Sequence, residues 1–156
     1  MTSPPTIVTQ NPDARDGKPI FLQLGVHHAR EWPSSEHAIE FAYDLVTNYG
    51  RSSRTTDLVN TTRTIVVPIV NPDGFNLSRE ARHAGFSASF GLFDYEMKRK
   101  NCRPSPVPAY ASGSCADNPA GGWSCVDPNR NYGGLWGGPG ASLDPADDTY
   151  RGAAPF

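Results

Sequence analysis

Two short apolar runs separated by an amphipathic segment constrain the fold more than any other feature of this chain. Residues 19–26 (PIFLQLGV) and 63–70 (RTIVVPIV) are almost continuously apolar, which is typical of strands buried on both faces of a parallel sheet. Between them, residues 33–49 carry apolar side chains at helical spacing, starting at Pro33 and followed by Gly50. The order strand, helix, strand predicts a right-handed crossover in an α/β fold.

The other segments predict loops and turns more than regular structure. Residues 1–18 are expected to be a polar N-terminal tail and loop, and residues 51–62 a loop with a short helical piece. Asn71–Gly74 has the residue preferences of a type I turn. Residues 101–126 and 133–156 are rich in Gly and Pro and predict surface loops. Two strands and one helix are few for 156 residues, so we expect residues 19–156 to be part of a larger domain.

Charge and composition exclude several classes of function. The net charge is −2 and 19% of residues are charged, which argues against nucleic-acid binding. No apolar run reaches the roughly 18 residues that a membrane span needs. The N-terminus lacks the pattern of a signal peptide, so the protein is cytosolic or its natural start lies upstream.

The cysteine count leaves the redox state open. There are three, Cys102, Cys115 and Cys125, so at least one has no partner within the chain. The spacing is not that of a C-x-x-C zinc or redox motif. A loop disulfide in an exported protein is one interpretation, and unpaired thiols are the other.

The residues that directly follow the first apolar run could hold a metal. In open parallel sheets, sites form beyond the carboxyl ends of the strands. His28 and Glu31 lie there with the spacing H-x-x-E, which points both side chains the same way in a helical turn, and Zn²⁺ accepts both ligand types. His37 and Glu40 repeat this spacing, but they lie opposite the apolar face of the helix and predict a solvated pair. From the residues alone, His28 is a metal ligand or a hydrogen-bonded loop histidine.

Five ordered segments resemble the motifs of the zinc carboxypeptidases of the carboxypeptidase A/B and T type. The first, GVHHAREW at residues 25–32, resembles G-x-H-A-R-E-W. Lys98 stands where the family's W-R-K-N motif usually has Trp. The other four segments are VNPDGF (70–75), KRKN (98–101), VDPNRNY (126–132) and YRG (150–152). Together they span residues 25–152, and this order of motifs is highly specific.

The resemblance implies one catalytic zinc and assigns its ligands in this chain. His28 and Glu31 would be the first two ligands, and Asp127 would accept the other N–H of His28 and so fix its tautomer. His27 and His83 match no ligand position. The resemblance also implies the family's fold, a three-layer α/β sandwich with a mixed, largely parallel central sheet, incomplete in this chain.

The same resemblance assigns the substrate contacts. Asn129 and Arg130 would hold the C-terminal carboxylate of a peptide, since a guanidinium matches a carboxylate bidentately. Arg99 would stabilise the oxyanion that forms when water attacks the scissile carbonyl, and Arg30 would contact the substrate further away. On their own, residues 98–100 would predict a solvated basic face and residues 129–131 a capped turn.

The implied activity is removal of C-terminal amino acids from peptides and proteins by an exported, monomeric parent protein that binds neither nucleic acid nor membranes. The family's third zinc ligand, a His, and its general-base Glu lie downstream of the Y-x-G segment, so we expect no activity from these 156 residues alone. Two alternatives stay open. One is a non-catalytic relative that binds peptide C-termini, and the other is a zinc amidase or deacylase of small acylated amino acids. The latter usually carry H-x-N-E and lack the N-P-D-G-F segment.

Overall fold

The computed structural model describes residues 5–79, 98–101 and 125–156. The chain divides into two compact units, one of Met1–Gly25 with Trp32–Val70 and one of Val26–Glu31 with Asn71–Phe156. The first unit holds a sheet and two helices. The second holds all seven predicted site residues.

The first unit contains a three-stranded mixed sheet. Its strands are β1 (Thr6–Val8), β2 (Ile20–Leu24) and β3 (Arg63–Val67), in the order β1-β3-β2. β2 runs parallel to β3, and β1 runs antiparallel to it. The predicted parallel pairing of the two apolar runs is therefore confirmed. The prediction of tail and loop for residues 1–18 is wrong at β1, because a three-residue strand is too short to show a periodic pattern.

Two helices accompany this sheet, α1 (Pro33–Asn48) and α2 (Ser53–Thr61). α1 confirms the predicted helix to within one residue, and Gly50 follows it with a φ of 76°. α2 fills most of residues 51–62, so the short helical piece predicted there is confirmed but is longer than expected. Its N-terminus is capped by Ser52, whose Oγ accepts a hydrogen bond from the backbone N–H of Thr55 at 3.3 Å. The core of this unit is formed by Val8, Leu45 and Val59, with Phe41 and Ala42 packed against them.

β2 is less buried than its apolar sequence predicts. Ile20, Phe21 and Leu22 are all exposed, so the expected burial on both faces is wrong for this part of the strand. Phe21 meets Phe41 of α1 edge to face, with ring centroids 5.8 Å apart, yet it keeps almost half of its surface exposed. β2 lies at one edge of the three-stranded sheet, whereas the neighbouring β3 buries Thr64 and Val66.

In the second unit, a helix replaces the predicted turn. Helix α3 spans Pro72–Arg79, and Asn71 precedes it. The Oδ1 of Asn71 accepts from the Gly74 N–H at 3.1 Å, and its carbonyl accepts from the Phe75 N–H at 2.9 Å. The turn prediction for Asn71–Gly74 is therefore wrong, because a type I turn and the first turn of a helix share similar dihedral angles and residue preferences.

The predicted loop at residues 133–156 contains turns and one isolated bridge, between Ser142 and Tyr150, and is confirmed. Most of the other predicted loop, residues 101–126, lies outside the described residues, as does His83. Within the described chain, no helix combines the length and the apolar character that a membrane crossing requires.

Candidate active site

The loop Val26–Glu31 is held in a strained but well-anchored conformation. Val26 is buried with a φ of 48°, a region that costs a residue with a Cβ about 1–2 kcal/mol. Its carbonyl accepts from the backbone N–H of Asn71 at 3.0 Å. Three residues on, the N–H of Ala29 donates to the carbonyl of Arg99 at 3.0 Å, and the Ala29 carbonyl accepts from Ser78 Oγ at 3.0 Å. These bonds fix the backbone that carries His28 and Glu31.

His28 and Glu31 lie on the same side of this loop. A backbone hydrogen bond from Glu31 N to the His28 carbonyl (3.0 Å) closes a turn between them. The Nδ1 of His28 is 2.8 Å from Oε1 of Glu31. The imidazole is buried, while about half of the Glu31 side chain is exposed to solvent. The two predicted ligands therefore face each other.

Asp127 is fully buried and joins three of the predicted site residues. Its Oδ1 lies 3.2 Å from His28 Nε2 and accepts from the backbone N–H of Asn129 at 2.8 Å. Its Oδ2 accepts from the guanidinium of Arg99 at 2.9 and 3.3 Å. Burial by itself raises the pKa of Asp127, but the hydrogen bonds from His28 and Arg99 outweigh it and hold that pKa below its ordinary value.

This arrangement sets which ring nitrogen of a neutral His28 is free to bind. A carboxylate only accepts hydrogen bonds, so the ring proton belongs on Nε2 and the Nδ1 lone pair points toward the Glu31 carboxylate. Two electron-rich atoms that face each other suit a cation between them, and imidazole and carboxylate are zinc ligands. The pair fits two of the three protein ligands of a catalytic zinc. No group of three or more candidate ligands occurs among residues 5–79, 98–101 and 125–156.

The two arginines Arg30 and Arg99 are tied to the loop around Asp148. Arg99 Nε donates to the Asp148 carbonyl at 3.2 Å, and Arg30 pairs with the Asp148 carboxylate at 3.3 Å. Lys100 is buried below this loop, and its Nζ donates to the carbonyls of Pro145 (2.7 Å) and Asp147 (2.8 Å). Lys98 is buried as well, so the interpretation of residues 98–100 as a solvated face is wrong.

Asn129 and Arg130 lie on a short 3₁₀ turn, Pro128–Arg130, that begins directly after Asp127. The backbone N–H of Arg130 donates to the Asp127 carbonyl at 3.0 Å. The Arg130 side chain donates to the carbonyls of Gly140 (3.0 Å) and Asn129 (3.1 Å). Both residues line a cavity of about 280 Å³, together with Tyr132, Trp136 and the glycine-rich loop. The side chain of Arg130 thus borders an open volume that a ligand could enter.

The sequence reasoning missed the residues that hold this site in place. His27 Nε2 is 2.6 Å from the hydroxyl of Tyr132, and burial lowers the pKa of His27 and raises that of Tyr132. Asn71, Lys100 and Asp148 are further examples. His37 and Glu40, in contrast, are both exposed on α1, as predicted.

Comparisons with known proteins agree with this picture. The family model described as Zinc carboxypeptidase matches residues 5–156. The chain belongs to the zinc carboxypeptidase family. It is similar to the metallocarboxypeptidase A of Trichophyton tonsurans, at 33% identity over 141 residues, which cover 90% of this chain and 27% of the relative. It is also similar to the carboxypeptidase A2 of Rattus norvegicus, at 34% identity over 140 residues and the same coverage. The chain thus spans about a quarter of the length of these zinc carboxypeptidases.

Solved structures show the fold. A crystal structure of thrombin activatable fibrinolysis inhibitor superposes with a TM-score of 0.69 at 23% identity, covering 97% of this chain and 31% of that one. The carboxypeptidase A from Helicoverpa armigera gives a TM-score of 0.68 at 24% identity, with 97% and 30% coverage. The predicted α/β fold of the zinc carboxypeptidases is confirmed.

Proposed function

We propose that the protein to which this chain belongs is a zinc-dependent metallocarboxypeptidase that removes C-terminal amino acids from peptides and proteins. The observation that carries the proposal is the position of His28, with Glu31 on one ring nitrogen and buried Asp127 on the other. Family membership supports the same activity. Zinc would be held by Nδ1 of His28 and the carboxylate of Glu31, and when bound it supplies Lewis acidity and lowers the pKa of a water molecule.

Each of the other predicted site residues then has a defined role. Asp127 orients the imidazole and keeps its Nδ1 free of a proton. Asn129 and Arg130 bind the terminal carboxylate of the peptide, which directs cleavage to the last peptide bond. Arg99 is already held at Nε and one terminal nitrogen, and its remaining N–H groups donate to the developing oxyanion. Arg30 contacts the substrate further from the cleaved bond.

The activity also needs a third zinc ligand and a general base, which these residues do not supply. A catalytic zinc takes three protein ligands, and this chain contributes His28 and Glu31. The third ligand and the general base would come from the segments that follow Y-x-G in the family, so the 156-residue chain by itself is inactive. In this proposal the parent protein is monomeric and exported, and the loop cysteines and the family resemblance support its export.

The decisive experiment compares two pairs with the same spacing in the full-length protein. His28→Ala and Glu31→Gln are expected to abolish bound zinc, measured by elemental analysis, and release of C-terminal amino acids. His37→Ala and Glu40→Gln, the exposed H-x-x-E pair on α1, are expected to leave both unchanged. A His28→Ala protein that keeps stoichiometric zinc would show that the ligand assignment is wrong. Chelator-sensitive release of C-terminal amino acids by the purified 156-residue chain would show that the third ligand and base are not needed.

A further inference from the structure

A buried amine and a buried thiol lie side by side in the second unit. Lys98 and Cys125 each expose only 1% of their surface, and the Nζ of Lys98 donates to the Sγ of Cys125 at 3.2 Å. Cys125 is a free thiol. Neither side chain takes part in the proposed zinc or substrate contacts. The pair is therefore a chemical feature that the proposed function leaves unused.

The backbone keeps these two side chains together. The N–H of Asn101 donates to the carbonyl of Val126 at 3.0 Å, and the N–H of Val126 donates to Oδ1 of Asn101 at 2.8 Å. These two bonds align the segment 98–101 with the segment that begins at Cys125. The short distance between nitrogen and sulfur is thus supported by hydrogen bonds between the two segments and does not depend on a flexible lysine stem alone.

The amine of Lys98 has a different kind of hydrogen-bond partner from the amines of the other two lysines. Lys18 pairs with the carboxylate of Asp16, and Lys100 donates to two backbone carbonyls. In the part of the chain that the structure describes, no carboxylate lies within ion-pair distance of Lys98, and its hydrogen bond goes to sulfur. The amine nitrogen is thereby directed at a sulfur atom that oxidation to the sulfenic acid turns into an electrophile.

We propose that Lys98 and Cys125 form a covalent nitrogen–sulfur cross-link, a sulfenamide, when a peroxide oxidises the thiol. In the first step the sulfur attacks the peroxide, the O–O bond breaks, and the thiol becomes a sulfenic acid with release of one water. Sulfur loses two electrons and the peroxide gains them. In the second step the ammonium group gives up one proton to solvent and its nitrogen attacks sulfur, the S–O bond breaks, and the oxygen leaves as water with a second proton from nitrogen. This condensation needs no further oxidant.

The cross-link would join two segments that carry site residues. Arg99 follows Lys98 directly, and Asp127 lies two residues after Cys125. A nitrogen–sulfur bond would therefore link the two segments that carry the partners of the Arg99–Asp127 ion pair. A dithiol reductant would cleave the bond and restore the amine and the thiol, because sulfenic-acid derivatives of cysteine remain reducible.

The test uses the 156-residue chain with Cys102→Ser and Cys115→Ser, so that Cys125 is the single thiol. After a small excess of hydrogen peroxide, the intact mass is expected to fall by two hydrogen atoms, and proteolysis should yield one peptide joining Lys98 to Cys125. Dithiothreitol should reverse both changes. When the peroxide treatment is carried out in a denaturing concentration of guanidinium chloride, which separates the two segments, the linked peptide should be absent.

Two lysine variants in the same background control for the identity of the amine. Lys98→Met removes the nucleophile, so Cys125 should stop at the sulfenic acid and be trapped by dimedone. Lys18→Met removes an amine that pairs with Asp16 and should cross-link like the parent. Cys125 that stays unmodified in peroxide, or a sulfenic acid that dimedone traps fully while Lys98 is present, would overturn the proposal. So would a mass loss that persists in Lys98→Met.

Discussion

Asp127 is the residue on which most of the site depends. It has no exposed surface, and it accepts hydrogen bonds from a histidine, an arginine and a backbone N–H at once. A buried carboxylate is stable only when such partners compensate for the loss of water. Removal of this one side chain therefore takes an acceptor from His28, from Arg99 and from the backbone N–H of Asn129.

Replacing Asp127 should cost more stability than any surface change. We expect Asp127→Ala to lower the free energy of unfolding by about 3 kcal/mol, because buried His28 and the largely buried guanidinium of Arg99 both lose their carboxylate partner. Asp57→Ala, at an exposed position of α2, should change it by less than about 0.5 kcal/mol. Denaturant unfolding of both variants measures the difference. A loss below about 1 kcal/mol for Asp127→Ala would mean that solvent reaches Arg99 and His28 freely.

Lys100 should make stability depend on pH in the alkaline range. Burial lowers its pKa below the ordinary 10.5, with the nearby Lys98 charge acting in the same direction and Cys125 against it. Between the lowered pKa and 10.5 the unfolded chain binds a proton that the folded chain does not, so stability rises with pH in that window. A neutral amine still has the two N–H groups that Pro145 and Asp147 accept from.

The measurement is the difference in free energy of unfolding between the wild type and Lys100→Met as pH approaches 10.5. Other lysines and tyrosines titrate in both proteins and cancel in this difference. The wild type should gain stability relative to the variant. A difference that stays constant or falls with rising pH would contradict the expected direction of the Lys100 shift.

The sequence indicates which motif residues form the candidate site, but it does not indicate the residues that hold them. The spacing of His28 and Glu31 within one loop indicates that they share a side, and the family resemblance pointed to Asp127. Lys100 contacts Pro145 and Asp147 across 45 and 47 positions, and Arg30 reaches Asp148 across 118. Spacing along the chain carries no information about contacts at such separations.

At the scale of elements, long apolar patterns were predictive and short polar ones were not. β2, α1 and β3 follow from runs of apolar residues, whereas β1 has three residues and α2 has few apolar positions to show a period. The predicted single apolar face of α1 is only partly buried. Ala38 and Leu45 are buried, but Ile39, Val46 and Tyr49 are exposed. Periodicity identifies a helix, but it does not say which of its apolar side chains find a partner.

The junction after β2 tolerates no side chain. A Cβ at Gly25 would lie 2.4 Å from the carbonyl oxygen of Pro68 and 2.8 Å from that of Ser34, both backbone atoms that cannot rotate away. We expect Gly25→Ala to destabilise the chain by about 3 kcal/mol. Gly133→Ala meets no atom within 4 Å and should be neutral or stabilising by up to about 1 kcal/mol. Thermal unfolding compares the two, and equal melting temperatures would show that the backbone around Gly25 can move apart.

At the scale of the whole molecule, the helix α1 presents a second apolar stripe that stays in solvent. Ile39, Tyr43 and Val46 recur at helical spacing and expose 54%, 69% and 62% of their surface. Contiguous exposed apolar surface of this kind binds hydrophobic probes and promotes association. The 156-residue chain should therefore bind the dye 8-anilinonaphthalene-1-sulfonate and self-associate as its concentration rises.

The double substitution Ile39→Gln with Val46→Gln tests this directly. Because both side chains are already exposed, the free energy of unfolding should change by less than about 0.5 kcal/mol, while dye fluorescence and association by analytical ultracentrifugation fall together. Leu135→Gln, which alters an exposed apolar residue in the other unit, should leave the dye signal nearly unchanged. If the double variant binds dye as the wild type does, the stripe on α1 is not the surface that binds the dye and mediates self-association. Loss of stability in that variant would instead mean that Ile39 or Val46 packs against another part of the chain in solution.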